Sequence, residues 1–250
     1  MPDDFGYCTV QDVARILGEP FPIQGSDPSA SAIAAAIRGQ GDWLRRATRR
    51  HFYDPEYDPT GDDGMVDLPT TPQTVTDQAY DIPSSPHAGH TQFATNEQVR
   101  YPRHHRGTYA RVQLTHRHVS AIDTLRVRSR QAYDDWTAAS DRSEGRTNDY
   151  YVTTDDQTGR SKLFVDSRSI TPLPDYNEAI VTDYSYGMDR IPDSISRAVA
   201  FKAASELVLD KDSTITIPDS QGPVDIQTAS EQFDKRANKL LKPYRATAVA

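Results

Sequence analysis

The stretch "IPDSISRAVAFKAASELVLD", residues 191–210, carries a helical run whose only strongly polar interior positions are Arg197, Lys202 and Glu206. A helix without a polar face has to be covered on several sides. The cover must come from other helices of the chain or from a second subunit, and in a small domain part of it is expected from a neighbouring copy. Phe201 and Val208 are the side chains expected in such a buried interface.

Candidate covering helices lie at both ends of the chain. "TVQDVARILGEP" opens with Thr9 and Asp12 at capping-box spacing, carries Val10, Val13, Ile16 and Leu17, and stops at Gly18. In "SDPSASAIAAAIRGQGDWLRRATRRHF" the reading places the N-cap at Asp27 and Pro28 in the first turn, with an apolar stripe through Ile33, Ile37, Leu44 and Ala47. Arg38, Arg45, Arg46, Arg49 and Arg50 fall on the opposite arc. A last helix, "TASEQFDKRANKLLKPYR", is expected to be capped by Thr228 with Glu231 and striped by Phe233, Ala237, Leu240 and Leu241, after a short "TITIP" strand. Pro243 ends it. The following tail is small or basic, so Lys239, Lys242, Tyr244 and Arg245 are expected to order only on docking to a partner.

Between these ends the character changes. "DPEYDPTGDDGMVDLPTTP" is rich in Pro, Gly and Asp and cannot continue a helix, so it reads as a linker. Strand patterns follow in "TYARVQLTHRHV", "AIDTLRVRSR", "DYYVTT", "SKLFVDS" and "EAIVTDYSYG". The expected fold is α+β: a helical bundle built from residues 1–54 and 189–250, with a linker and antiparallel β domain inserted as residues 55–188.

Charge is skewed in kind and in position. The chain has 29 Asp against 7 Glu and 22 Arg against 6 Lys, with a formal net charge of −8. Excess carboxylate with little lysine suits a protein kept soluble in salt-saturated cytoplasm. Residues 100–130 nevertheless hold eight arginines against the single acid Asp123, so this stretch is +7 and the remainder −15. Arg126, Arg128 and Arg130 alternate along one strand and are expected to line one sheet face.

Signatures of catalysis are missing from the sequence: there is no phosphate-binding glycine loop, nucleophile elbow, zincin helix or Cys/His zinc pattern. "DPEYDPTGDDG" has Asp54, Glu56 and Asp58 at calcium-loop spacing, but its glycine is displaced and Met65 stands at the closing Glu position, so a solvated acidic segment is the reading. His116 and His118 are expected on one strand face at the end of the stripe Ala110, Val112, Leu114, where packing is the plain interpretation. The lone Cys8 beside Tyr7 and Val10 suits a small buried hydrophobe. No stretch approaches the ~20 apolar residues of a membrane span. A non-enzymatic, soluble protein without cofactor or metal is expected.

The order of parts, "YCTVQDVARIL", a second helix ending in "RRATRRHF", an inserted strand-rich segment closing on "IVTDYSYGMDRIPDSISRAV", then an Ala-rich helix, resembles the head-tail connector (adaptor) proteins of long-tailed double-stranded DNA viruses. The similarity covers mainly residues 7–52 and 180–210, and the long β segment departs from smaller, mostly helical members of that family. The resemblance implies a closed, dodecameric ring beneath the portal protein, contacting a tail or tail-completion protein and extending the channel for genomic DNA. It also implies residence in the virion, after assembly in the host cytoplasm. Together with the composition, it points to a tailed virus of a halophilic archaeon.

The alternative is a DNA-binding or DNA-processing protein using the arginine surfaces. Salt bears on the choice, because the Debye length is about 3 Å at 1 M and phosphate binding by counterion release weakens steeply there. Arginine still forms bidentate pairs with carboxylates. Arg38, Arg45, Arg46, Arg49 and Arg50, and with them Arg126, Arg128 and Arg130, are therefore candidates for subunit or portal contacts first, for a DNA channel second, and for a solvated face otherwise.

Overall fold

The computed structural model describes residues 5–19, 28–58, 66–82, 109–129, 132–170, 177–209, 215–216 and 223–245. The fold is mixed α+β, with four helices and two main antiparallel sheets among the described residues. The chain divides into two compact units: Met1–Pro72 with Met188–Ala250, and Gln73–Gly187.

In the first unit, α1 (Val10–Leu17) has the expected capping box. Thr9 Oγ1 accepts the Asp12 amide at 3.2 Å, and the Asp12 carboxylate accepts the Thr9 amide at 3.1 Å. Gly18 ends the helix at φ 73, a left-handed conformation open to glycine at little cost. Helix α2 (Ala30–Thr48) starts later than its sequence suggests: Ser29 is the cap, accepting the Ala32 amide at 3.2 Å, while Asp27 lies outside the described residues. Pro28 therefore precedes the helix, because a serine just past the proline already satisfies an orphan amide of the first turn.

Helix α3 (Asp193–Leu209) is the apolar helix, and α4 (Ile226–Leu241) packs along it. The cap of α4 is Asp225 instead of Thr228; its carboxylate accepts the Thr228 amide at 3.0 Å and also the Thr228 hydroxyl, which holds Asp225 below the usual carboxylate range. Two short strands, Ile215–Thr216 and Pro223–Val224, pair between these helices.

Along α3, Ile195, Ala198, Val199, Ala200, Ala203, Ala204 and Val208 are wholly covered. Cover comes from α1, α2 and α4 of the same chain, with Val208 wholly covered and Phe201 8% exposed. Phe201 meets Phe233 at a centroid distance of 6.0 Å. Polar positions on the helix are matched too: Ser205 and Ser230 share a 2.9 Å hydrogen bond, and Lys202 pairs with Asp234 at 2.8 Å.

The segment after α2 is tied to the helical unit. The Asp54 amide donates to Pro69 O at 2.7 Å, the Gly6 amide donates to Asp67 O at 3.0 Å, and Phe52 forms a parallel bridge with Met188. Backbone pairing thus carries the unit boundary to Pro72, beyond the residue 54 expected from composition.

The second unit contains β1 (Gln73–Tyr80), β2 (Tyr109–Arg117), β3 (Val119–Ser129), β4 (Ala132–Asp135), β5 (Tyr150–Thr154), β6 (Arg160–Asp166) and β7 (Ile180–Tyr186). One sheet has the order β1-β7-β3-β4 and the other β2-β6-β5, with every pairing antiparallel. Val112, Leu114, Leu125, Val127, Leu163, Val165 and Ile180 build the core by alternation. His118 does not share a strand face with His116. It occupies the β2–β3 turn at φ 56, and its amide donates to Gly159 O at 2.8 Å.

Close packing of α3 depends on its small residues, so Ala200→Leu is expected to overpack the core. Stability should fall by about 1–3 kcal/mol in urea unfolding, with the m-value unchanged.

Candidate functional site

The arginines of α2 do not form one solvated row. Arg38, Arg46 and Arg49 are exposed, with Arg49 as the helix C-cap at φ 56. Arg45 turns inward, pairing with Asp42 and placing its guanidinium 5.2 Å from the Phe5 ring centroid. Arg50 is buried at 6% exposure, with its guanidinium 5.4 Å from the Tyr244 ring centroid, because the chain has left the helix by then and no longer follows its angular period. Of the expected arc, Arg38, Arg46 and Arg49 are the exposed members, and Arg46 lies within 3.9 Å of Asp42.

The C-terminal residues also differ from expectation. Tyr244 packs edge-on to Phe52 at 5.9 Å and shares a 3.0 Å hydrogen bond with Ser194, while Arg245 bonds Asn238. Tyr244 is therefore an internal anchor of the helical unit and needs no docking partner to be placed. Residues 246–250 lie outside the described residues.

This anchoring creates a groove of about 560 Å³ between α3 and α4. Phe201, Leu240 and Tyr244 supply apolar surface, and Arg197, Arg236 and Lys239 supply charge. Arg236 lies over the Phe201 ring at 5.7 Å. The groove brings together Phe201, Lys239 and Tyr244, which the sequence had placed in separate roles. Arg236 was legible in retrospect, since Arg236, Lys239 and Leu240 stand at i, i+3 and i+4 on one helix face. Lys242 is exposed beyond this helix.

On the β unit, Arg126 and Arg128 share a sheet face, as alternation requires, and Arg130 lies outside the described residues. The face is not a row of unmatched cations. Arg126 meets Asp77 at 2.5 Å and Asp183 at 3.7 Å, and its hydrogen bond with Asp77 holds its guanidinium above the usual pKa. Arg128 donates to Asn177 O at 3.2 Å.

Two titratable networks are internal. His51, 2% exposed, joins the Tyr7 hydroxyl at 2.9 Å through Nδ1 and Thr71 O at 2.9 Å through Nε2. The buried Tyr184 hydroxyl joins His116 Nδ1 at 2.8 Å and Tyr80 at 2.9 Å; burial, then the Tyr80 hydrogen bond, push its pKa far up, so it remains a neutral phenol. Burial, then the Asp12 carboxylate, likewise push the Cys8 thiol up. Among the described residues no group of three or more His, Cys, Asp or Glu side chains could hold a metal ion, and no helix is long and apolar enough to cross a membrane.

No protein-family model and no curated protein matches the chain.

Tyr244→Ala is expected to lower stability by about 2 kcal/mol, through lost packing on Phe52 and Arg50. Tyr244→Phe removes only the hydroxyl contact and should cost about 1 kcal/mol. Equilibrium unfolding of the two variants checks the order.

Proposed function

We propose that the protein is a structural component of a virion that forms a ring between the portal and the tail of a long-tailed double-stranded DNA virus, extending the DNA channel across that junction. One observation carries this reading: helices from before and after the strand-rich segment meet in one unit around α3, while that segment leaves and returns beside the Phe52–Met188 bridge. That is the order of parts expected of a connector. In this reading the helices of the first unit are the bundle that builds the ring.

The partners are copies of the chain, the portal, a tail or tail-completion protein, and the genomic DNA that passes through the channel. The protein works by position and contact, without catalysis, first in the host cytoplasm and then in the virion. The aspartate-rich composition supports assembly in concentrated salt, where contact pairs between arginine and carboxylate outlast longer-range attraction. Exposed Arg38 and Arg46 suit such pairs with a neighbouring subunit or the portal.

Arg38→Glu combined with Arg46→Glu tests this without disturbing the cap at Arg49. The double variant is expected to unfold near the wild-type temperature yet to fail to form rings on the portal in molar salt, as seen by electron microscopy. Normal rings from the double variant would reduce these arginines to a solvated face. A wild-type chain that gave no ring with its portal, but bound free DNA tightly in molar salt, would favour the DNA-binding alternative.

A further inference from the structure

The helical unit carries an apolar hole at one end of α3 and an apolar knob at the other. The hole is the groove of Phe201, Leu240 and Tyr244, edged by Arg197, Arg236 and Lys239. The knob is Leu209, the last residue of α3 and 59% exposed, a large aliphatic side chain left in water by a helix that otherwise buries nearly all of its own.

Charge distinguishes the two ends. The groove lining contains three cationic side chains and no carboxylate. At the Leu209 end stands exposed Glu206, which accepts a 2.7 Å hydrogen bond from Gln40. The antiparallel run of α4 along α3, seen in the Ser205–Ser230 and Ser194–Tyr244 bonds, brings the exposed Asp225 cap to the same end. The C-terminus of α3 adds the negative end of its helix dipole. An apolar side chain among carboxylates thus faces one way, and an apolar groove among cations faces the other.

The knob cannot enter its own groove. Leu209 and Arg197 sit on one continuous helix, about 18 Å apart along its axis at 1.5 Å per residue. We infer that Leu209 of one copy, with Glu206 and Asp225 beside it, docks into the α3–α4 groove of a second copy of this chain. Such a contact is heterologous: each copy offers a knob to one neighbour and a groove to the other, which builds a ring when the rotation closes. This deepens the ring reading by naming the surfaces, and it rests on that reading only for closure. Apolar burial at the centre also keeps its strength in concentrated salt, unlike a purely ionic contact.

Two cysteine variants test the direction of the contact. Cys8 is the only native cysteine and is buried, so background coupling is low. Leu209→Cys and Lys239→Cys populations, mixed and treated with a short bis-maleimide, are expected to give a mixed cross-linked pair, with much less product from either population alone. Leu209→Asp and Arg197→Glu should each weaken self-association about tenfold or more in sedimentation, with thermal unfolding near that of the wild type. Cross-links confined to one population would indicate a symmetric contact and overturn the inference. So would a wild-type chain that stays monomeric at its highest soluble concentration. Portal-bound rings that still form with Leu209→Asp would overturn this contact while leaving the ring reading standing.

Discussion

Covering α3 is the constraint from which the rest of the helical unit follows. A helix whose Ile195, Val199, Ala203 and Val208 are all buried needs partners on several sides. One helix arriving from one direction cannot supply them. The chain meets the demand by returning: α1 and α2 precede the strand segment, α4 follows α3, and all three pack on it. Alanines at 198, 200, 203 and 204 allow close approach, so much of the stabilisation comes from packing density instead of large side chains. Each of the larger buried residues contributes about 1.5–3 kcal/mol of transfer free energy. The strand segment can be inserted because its exit and re-entry are held together: the Tyr53 amide donates to Met188 O at 2.9 Å and the Met188 amide to His51 O at 3.0 Å.

The β unit meets a different constraint, the burial of polar groups inside a small strand core. Tyr184 is fully covered, and its hydroxyl would be costly without partners. His116 and Tyr80 supply them, and Tyr80 in turn accepts the Thr115 amide at 3.0 Å. The hydroxyl therefore links β7 to β2 and β1, strands that belong to two different sheets. Stacking of His116 on Tyr186 at 4.2 Å adds to that link. His116, expected in the sequence to serve packing, orients this network.

Much of this was readable from residue order, and the exceptions have physical causes. The capping box at Thr9, the stop at Gly18 and the apolar stripes of α2 and α4 were legible because each rests on contacts within a few residues. The caps at Ser29 and Asp225 were missed since several serines, threonines and aspartates compete near both starts, and only geometry selects one. Strand β1 has no fully buried residue and is broken by Asp77 at φ 53, so it shows no apolar alternation. Strand β4 is four residues long. Tyr244 and Arg50 depart from the sequence pattern for a shared reason: they reach each other from distant parts of the chain, and no local period reports a contact of that separation. The groove depends on that contact and was equally hidden.

Counting arginines overstates how many are available to a partner. The stretch of residues 100–130 has an excess of positive charge, yet its described members are largely engaged inside the β unit. Arg117 is 8% exposed and donates to Thr158 O at 2.6 Å, Arg126 meets Asp77 and Asp183, and Arg128 donates to Asn177 O. Elsewhere, Arg142 pairs with Asp149 at 2.8 Å and lies 4.7 Å from the Trp136 ring centroid. In each case the guanidinium is held by a carboxylate, a carbonyl or an aromatic face at contact distance. Contacts of this length are comparable to the Debye length of about 3 Å at 1 M salt, so mobile ions have little room to screen them. A diffuse positive field, by contrast, fades within that distance. The guanidinium chemistry that ties strands together within the chain thus works at contact distance, where added salt weakens it least, and differs in kind from a strip that attracts phosphate from afar.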